Sequence, residues 1–422
     1  MTSIELPTEC LTPGLYIKLP LQWTEHPFML NHFKIKDNQQ IRLIKNLGLK
    51  FVILYPDKSD THPLPENTLN TEQDAISEQE ARFINKQADK LWKEKQRRIE
   101  HLKNYKRNLN RCEKSFQRSL SKLRAISQKI KNRPVTAFAD AEELVNDMVE
   151  ALLDNDNLVL HLMSDAKESE DIYYHSLNVA VLSMLLAKSN GMPASDIKTI
   201  ALGALFHDIG KQKIPTHILR KITPLTEPEA NFLKLHPKYS LELAELSADF
   251  PDAAKPILSQ HHELMDGSGY PLGLQGHQIN RFAQLVAVVN AYDNLCHPMD
   301  PGKAKIPYSA LSYLFKHKKG QYSEEFIALM VRMMGVYPPG SVVQLSNQQV
   351  GMVISVNAKR LLYPNILIYD PSVPSNEAPV LDLEQSDMTI ERALHPQKLP
   401  EPIRQYLNPR ARISYYFEPE NG

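Results

Sequence analysis

The chain has 422 residues and a mass of 48.1 kDa, a length that predicts roughly two to four domains rather than one core. Its 49 Lys and Arg balance its 49 Asp and Glu, which excludes a strongly basic nucleic-acid-binding protein and an acidic mimic. Three widely separated cysteines exclude a disulfide framework and indicate a reducing compartment. The N-terminus lacks a signal-peptide pattern and no apolar run has membrane-spanning length, so we expect a cytoplasmic protein without a membrane span.

Residues 1–72 predict a small α/β module. The segment 14–19 alternates like a half-buried strand, and the segment 50–55 reads as a buried strand that stops at Pro56. Between them, residues 38–48 predict a short helix that ends at Gly48. Pro, Thr, Asp and Asn dominate residues 56–70, which we interpret as the exit linker.

Residues 73–133 predict one long basic helix that connects the module to the rest of the chain. Neither Pro nor Gly occurs between Thr71 and Asn132. Mostly apolar residues recur at heptad spacing, which predicts a homodimer through the 99–130 segment. The two seams of this heptad pattern consist of Leu102, Leu109, Phe116, Leu123 and Ile130, and of Tyr105, Cys112, Ser119 and Ile126. Between Lys90 and Arg133 there are 16 Lys and Arg against 3 Glu, and this basic face either contacts an anionic partner or is simply solvated.

The remaining chain divides into a helical region and a β-like extension. Residues 134–337 are helical in pattern, with loops near Gly191, Thr223 and Gly267. After Pro338 the pattern turns β-like, with three candidate strands at 341–345, 351–356 and 365–370. The fold class predicted is therefore mainly α, a helical bundle with a small α/β module before it and a small β extension at 338–422.

Histidine and aspartate concentrate within the helical region. Eight of the 15 histidines lie between His175 and His297. Asp171 and His175 are four residues apart, which places a carboxylate and an imidazole on one helix face. The dipeptide His207-Asp208 follows an apolar helix, and a second pair, His261-His262, precedes a glycine-rich turn.

This combination of residue types predicts a metal site. Imidazole and carboxylate ligands without thiolates suit Fe, Mn, Zn or Ni. An aspartate among several histidines can bridge two ions, which together hold a hydroxide and clamp a phosphoryl group. Lys211 is then placed to neutralise a phosphate, and Tyr270 to stack on a base. An isolated histidine such as His236 is more often a surface or core residue, so the prediction depends on the whole set.

The motifs HDIGK, HPKYS and HHELMDGSGYPLGLQG resemble the HD-GYP family of metal-dependent phosphohydrolases, from about Asp171 to Leu295. Active members hydrolyse cyclic di-GMP to the linear dinucleotide pGpG and to GMP, with two or three iron or manganese ions. The segments LTPGLYIKLPLQWTEHPFMLNHFKI and LGLKFVILY resemble the module often fused ahead of such domains, and the chain after Pro338 resembles their usual β extension. The resemblance therefore implies an HD-domain helical bundle and a cyclic di-GMP phosphodiesterase.

The resemblance also implies roles for individual residues. Lys211 corresponds to the lysine that contacts phosphate and, with Asp208, carries the expected catalysis. Gly269, Tyr270 and Pro271 correspond to the turn that contacts substrate. The expected metal ligands are Asp171, His175, His207, Asp208, His236, His261, His262 and Asn290.

Two departures from the family pattern favour a second interpretation. Gln284 and Asn290 stand where the family carries Arg and Asp, and the amide of Asn290 removes a charge that two cations would use. The loop after that helix has no basic residue before Lys303. The alternative is therefore a degenerate signalling module that acts through protein partners. A third candidate is an HD enzyme for another phosphorylated nucleotide.

Overall fold

The computed structural model describes residues 3–28, 30–65, 78–153, 161–162, 171–298, 300–356, 363–371, 373–375, 378–386, 388–407 and 415–416. The chain forms two compact units. The first consists of Met1–Tyr105 with Leu367–Leu381, and the second of Lys106–Ile366 with Asp382–Gly422.

The first unit contains a four-stranded antiparallel sheet, a short helix and the first part of a long helix. Its strands are β1 (Ile4–Pro7), β2 (Tyr16–Lys18), β3 (His32–Lys34) and β4 (Phe51–Leu54), in the order β1-β4-β2-β3. Helix α1 (Asn38–Asn46) begins after Asp37, whose side chain accepts a hydrogen bond from the Gln40 backbone N–H. Gly48 follows the helix at a φ of 70°, which glycine adopts without strain. The predicted strands and helix of this module are therefore present.

Helix α2 (Glu78–Lys129) has 52 residues and is about 78 Å long at 1.5 Å per residue. The second half of the predicted heptad seam is buried: Cys112, Phe116, Leu123, Ile126 and Ile130 all lie in the hydrophobic core of the second unit. These side chains therefore pack against helices of their own chain. The side chains of Leu102, Tyr105 and Leu109 lie outside the described residues, so a dimer through them stays a prediction.

Helices form most of the second unit, and they surround one core. They are α3 (Pro134–Leu153), α4 (Asp171–Ser189), α5 (Ala194–Phe206), α6 (Thr216–Leu219), α7 (Glu227–Leu233), α8 (His236–Ala244), α9 (Lys255–Gln260), α10 (Arg281–Cys296), α11 (Pro307–His317), α12 (Glu324–Met334) and α13 (Glu401–Leu407). Helices α4 and α10 are apolar on most faces because they lie in the middle of the bundle. Polar residues on these two helices are consequently buried.

The extension after Pro338 forms strands, as predicted. They are β6 (Val342–Leu345), β7 (Val350–Ser355), β8 (Asn365–Ile368), β9 (Val380–Asp382) and β10 (Ile390–Leu394), and β6 pairs antiparallel with both β7 and β10. The polar tail after residue 381 thus contains a strand and α13, which its composition did not predict. Two short strands, β5 (His161–Leu162) and β11 (Tyr415–Tyr416), also pair.

The predicted fold class is confirmed, since helices dominate and small sheets lie at both ends of the chain. The division at residues 72, 133 and 337 stays a prediction. None of the helices in the described part of the chain has the length and apolar character needed to cross a bilayer. The three cysteines, Cys10, Cys112 and Cys296, are buried.

Candidate metal centre

The candidate site lies where the ends of several helices of the second unit meet α4. His175 is in the second turn of α4, while His207 and Asp208 directly follow α5. His236 is the first residue of α8, and His261 and His262 directly follow α9. Residues at helix ends can direct polar side chains inward without interrupting the apolar core.

A close approach of two backbone segments holds this junction together. A Cβ added to Gly210 would lie 2.1 Å from the His236 carbonyl oxygen and 2.5 Å from the Ser240 nitrogen, so only glycine fits. The Ser240 hydroxyl donates to the His207 carbonyl at 2.7 Å and accepts from the Gly210 N–H at 2.9 Å. The glycine of the HDIGK motif therefore brings His236 next to His207 and Asp208.

Asp208 lies at the centre of the cluster and is 1% exposed. Its Oδ2 atom lies 3.4 Å from Nε2 of both His175 and His207. Its Oδ1 atom lies 3.2 Å from Nε2 of His236 and 3.7 Å from Nε2 of His261. The carboxylate therefore faces two groups of histidines, one with each oxygen.

These contacts define two groups that could each hold a metal ion. The first group is His175, His207 and Asp208, and the second is Asp208, His236, His261 and His262. Asp208 belongs to both groups. A carboxylate shared in this way is suited to bridge two cations.

The remaining ring nitrogens fix the orientation of the histidines. Nδ1 of His207 donates to the Ala204 carbonyl at 2.7 Å, and Nδ1 of His236 donates to the Leu233 carbonyl at 2.7 Å. Nδ1 of His261 lies 3.1 Å from the Leu258 carbonyl. Since these carbonyls need an N–H donor, each neutral ring presents the lone pair of Nε2 to the site.

The residues present fit a cation. Nε2 of His236 and of His261 lie 3.2 Å apart, so two lone pairs face one another at contact distance. Nε2 of His175 and of His207 are equally close. The buried Oδ1 of Asp208 forms no hydrogen bond with the described residues. Positive charge between these atoms would turn mutually repelling contacts into coordination.

Burial and charge set the protonation of the cluster. Burial lowers the pKa of His261 to about 3 and also lowers the pKa of His207 and His262, which keeps these rings neutral. Burial opposes ionisation of Asp208, but Lys211 and His207 outweigh it and lower its pKa well below the usual value. Burial also disfavours a charged His175, yet Asp208 and Asp293 raise its pKa to about 9. A cation must therefore displace one proton from His175.

Asp293 supports His175 from the side opposite the cluster. Its Oδ2 atom accepts a hydrogen bond from His175 Nδ1 at 2.6 Å, while Oδ1 lies 3.1 Å from Nδ1 of His297 and also accepts from Asn178. Asp293 is 1% exposed and its pKa is lowered, because His297 and His175 outweigh the effect of burial. This arrangement directs His175 Nε2 toward Asp208.

The glycine-rich turn packs against the same cluster. The Tyr270 ring stacks on His262 with centroids 4.6 Å apart and planes 18° apart. Burial raises the pKa of Tyr270, so its phenol stays neutral. A Cβ on Gly269 would lie 2.3 Å from the Leu264 nitrogen, which explains the glycine at this position. The carboxylate of Glu263 accepts hydrogen bonds from the N–H groups of Leu272 at 2.6 Å and Leu274 at 3.0 Å.

The structure shows the contacts of Asn290 and Gln284, the two residues that depart from the family pattern. Asn290 is 3% exposed, and its Oδ1 accepts a hydrogen bond from Asn294 at 2.7 Å. Gln284 donates to the Ile279 carbonyl at 2.9 Å and so holds the end of the glycine-rich loop. The Asp171 side chain lies outside the described residues, and its role as a ligand stays a prediction.

Sequence patterns alone did not assign roles to Glu263, His297, Asn178 or Ser240, and they marked Asp293 only as a substitute ligand for Asn290. Glu263 is adjacent to the HH pair, which is a usable signal for a supporting residue. Asp293 and His175 are separated by 118 positions, so their contact follows only from the packing of α10 on α4.

Comparisons with known proteins identify two family matches and several relatives. A family model described as "HD domain" matches residues 142–325, and one described as "Domain of unknown function (DUF3391)" matches residues 3–141. The cyclic di-GMP phosphodiesterase PA4108 of Pseudomonas aeruginosa is 30% identical over 55% of this chain and 56% of its own. The 3'3'-cGAMP-specific phosphodiesterase 1 of Vibrio cholerae is 29% identical over 48% of this chain and 45% of its own.

One solved structure, titled Bd1817, a HDG"Y"P protein from Bdellovibrio bacteriovorus, is 16% identical with a TM-score of 0.45. The alignment covers 78% of this chain and 98% of that one. The matches to the two phosphodiesterases cover about half of the length of either relative.

Proposed function

Since the chain belongs to the HD-domain proteins of the HD-GYP type and carries a DUF3391 domain ahead of the HD domain, we propose that it is a metal-dependent phosphodiesterase. Its substrate is cyclic di-GMP, and its products are linear pGpG, GMP or both. The observation that carries this proposal is the central Asp208, which faces two groups of histidines with its two oxygens. The relative PA4108 is named for the same activity.

The two groups of ligands would each hold a divalent cation, iron or manganese. His175 and His207 would hold one cation, His236, His261 and His262 would hold the other, and Asp208 would contribute to both. Asn290 would add a carbonyl oxygen, and Asp171 would be the ligand for a third ion. Bound cations would supply a hydroxide nucleophile at neutral pH and neutralise the charge of the attacked phosphodiester.

The chain's own residues orient the site and the substrate. Asp293 keeps a proton on Nδ1 of His175, which leaves Nε2 as the ligand atom. Lys211, whose Nζ lies 2.5 Å from Asp208 Oδ2, would be released from that carboxylate by bound cations and could then contact the phosphate. Tyr270 stacks on a guanine at the mouth of the site, and Lys211 stabilises negative charge that develops on the phosphate.

A degenerate signalling module remains the second candidate, and a specific observation favours it. Asn290 contributes no charge, and its carbonyl oxygen already accepts a hydrogen bond from Asn294. A site with weak metal binding would then turn substrate over slowly, and the chain would act through protein partners. Because one relative is named as specific for 3'3'-cGAMP, any assay of this chain should test 3'3'-cGAMP beside cyclic di-GMP.

The test measures metal content and turnover together. Protein purified without oxygen should contain about two equivalents of iron or manganese and should hydrolyse cyclic di-GMP. Asp208→Ala should reduce the metal content to one equivalent or less and abolish hydrolysis, because both cations lose their shared anion. Removal of metal by a chelator should have the same effect on hydrolysis, and added Mn²⁺ should restore it in the unsubstituted chain alone.

Asp249→Ala is the matched control, since Asp249 is an exposed carboxylate of the same unit. It should retain both metal and activity. If Asp208→Ala keeps two equivalents of metal and normal turnover, the site lies elsewhere. Less than two equivalents of metal together with no hydrolysis of either cyclic dinucleotide would favour the signalling module.

A further inference from the structure

Lys234 occupies a fixed backbone position beside the metal cluster. It directly follows α7, and its N–H donates to the Ala230 carbonyl at 3.0 Å. The neighbouring Leu233 carbonyl accepts from Nδ1 of His236, two residues after Lys234. The backbone of Lys234 is therefore tied to a candidate ligand, although its side chain is exposed.

The Lys234 ammonium group lies over the aromatic ring of Tyr270, which packs against the metal cluster. Its Nζ atom is 5.7 Å from the centroid of the Tyr270 ring, within the range of a cation–π interaction. Since the Tyr270 centroid is 4.6 Å from that of His262, the ammonium group lies within about 10 Å of the His262 ring. At this distance the ammonium group can contact a part of the substrate that is separated from the reacting phosphate by the width of the Tyr270 ring.

Five other lysines of the second unit already have partners. Lys211 contacts Asp208 at 2.5 Å, Lys213 contacts Glu242 at 2.7 Å, and Lys221 contacts Glu229 at 2.5 Å. In the loop after α10, Lys303 contacts Asp300 at 3.6 Å and Lys305 lies over the Tyr313 ring. Among the described residues, no carboxylate lies within ion-pair distance of Lys234.

We propose that Lys234 is a specificity-determining residue that binds the phosphate not being cleaved in a cyclic dinucleotide, with Tyr270 beside it. This proposal rests on the proposed phosphodiesterase function. A cyclic dinucleotide carries two phosphates in one small ring. When one phosphate lies at the cations, the second phosphate therefore lies near Lys234 and Tyr270. Lys234 thereby supplies the positive charge that the loop after α10, which has no Lys or Arg before Lys303, does not bring to the substrate.

The test compares a substrate that has two phosphates with one that has a single phosphate. For the metal-loaded enzyme, Lys234→Ala should raise KM for cyclic di-GMP about tenfold and leave kcat within about twofold, because a ground-state contact is lost. Hydrolysis of bis(p-nitrophenyl) phosphate should not change. Lys234→Arg should restore most of the affinity, and Lys234→Gln should not.

Lys238→Ala is the matched control, because Lys238 is an exposed lysine four residues further along the chain. It should leave KM unchanged. An equal effect of Lys234→Ala on both substrates, or no effect on either, overturns the proposal.

A second measurement separates this proposal from the proposed function. If the unsubstituted protein hydrolyses no cyclic dinucleotide, binding of cyclic di-GMP and of pGpG is measured by calorimetry. Binding that Lys234→Ala weakens about tenfold supports the Lys234 assignment although the enzyme assignment fails. Binding that the substitution leaves unchanged, or no binding to the unsubstituted protein, contradicts the Lys234 assignment as well.

Discussion

Asn290 is the residue at which this chain differs most consequentially from the family that it resembles. A carboxylate there would add a negative charge next to two cations, whereas an amide offers only a dipole. We therefore expect Asn290→Asp to tighten metal binding and raise the rate of hydrolysis. The substitution is nearly isosteric, and the new carboxylate can still accept the hydrogen bond from Asn294.

Metal stoichiometry and single-turnover hydrolysis, at equal iron or manganese supply, measure this effect. Asn132→Asp is the control, since it adds the same charge at an exposed position of the same unit and does not contact Asn290. If Asn290→Asp leaves both quantities unchanged or lowers them while the control behaves alike, position 290 is not a ligand.

His26, in the first unit, predicts a pH dependence that is independent of the metal site. It is 0% exposed, its Nε2 donates to Asn31 Oδ1 at 2.6 Å, and its buried Nδ1 has no hydrogen-bond partner among the described residues. Burial lowers its pKa from 6.5 to about 4. Between these values the unfolded chain binds a proton that the folded chain does not, so stability falls as the pH falls from about 6.5 to 4.

At about 1.4 kcal/mol per pKa unit, His26 should account for about 2–3 kcal/mol of that loss. His26→Gln keeps a donor for Asn31 and does not titrate, so its unfolding free energy should depend less on pH. His62→Gln, an exposed histidine of the same unit, is the control. Denaturant unfolding of metal-loaded protein at pH 7, 5.5 and 4.5 measures the difference, and parallel pH profiles for both variants would contradict the assignment.

The loop that carries Tyr270 is held in place by one buried side chain, that of Glu263. Glu263 is 2% exposed, and its carboxylate accepts the backbone N–H groups of Leu272 and Leu274. Glu263→Ala would leave both donors without their acceptor and loosen the turn. We expect KM to rise about tenfold with the metal content retained, and Glu263→Gln to restore part of the loss.

Glu245→Ala, at an exposed position in the same unit, should leave KM unchanged. Metal analysis beside steady-state kinetics distinguishes two roles of Glu263. Loss of metal in Glu263→Ala would mean that this residue supports His262 as a ligand rather than the loop, contrary to the prediction.

The sequence predicted elements better than it predicted contacts between elements. The predicted strands around Ile17 and Val52 are present because alternation and turn residues are local signals. The histidines around Asp208 could be grouped from motifs alone, since each motif occupies the end of one helix. The contact of Asp293 with His175 could not, because it depends on how α10 packs against α4.

At the scale of the whole molecule, α2 shows why a heptad pattern does not identify its partner. The pattern correctly indicated an apolar seam, and Phe116, Leu123 and Ile130 are indeed buried. They are buried within the core of the second unit, where the Phe116 ring lies 5.2 Å from that of Tyr174. Periodicity reports that a helix face is covered, whereas the covering surface is determined by the rest of the chain.

This placement predicts that Phe116 contributes to folding stability rather than to self-association. Phe116→Ala should destabilise the second unit by about 3–5 kcal/mol, because a fully buried aromatic side chain leaves a cavity. Phe83→Ala, on the same helix but 47% exposed, should change stability by at most about 0.5 kcal/mol. Denaturant unfolding followed by circular dichroism measures both values, and sedimentation velocity at micromolar concentration reports the association state. If Phe116→Ala keeps its stability and instead converts a dimer into a monomer, the seam binds a second chain in solution and the packing of α2 against its own core is wrong.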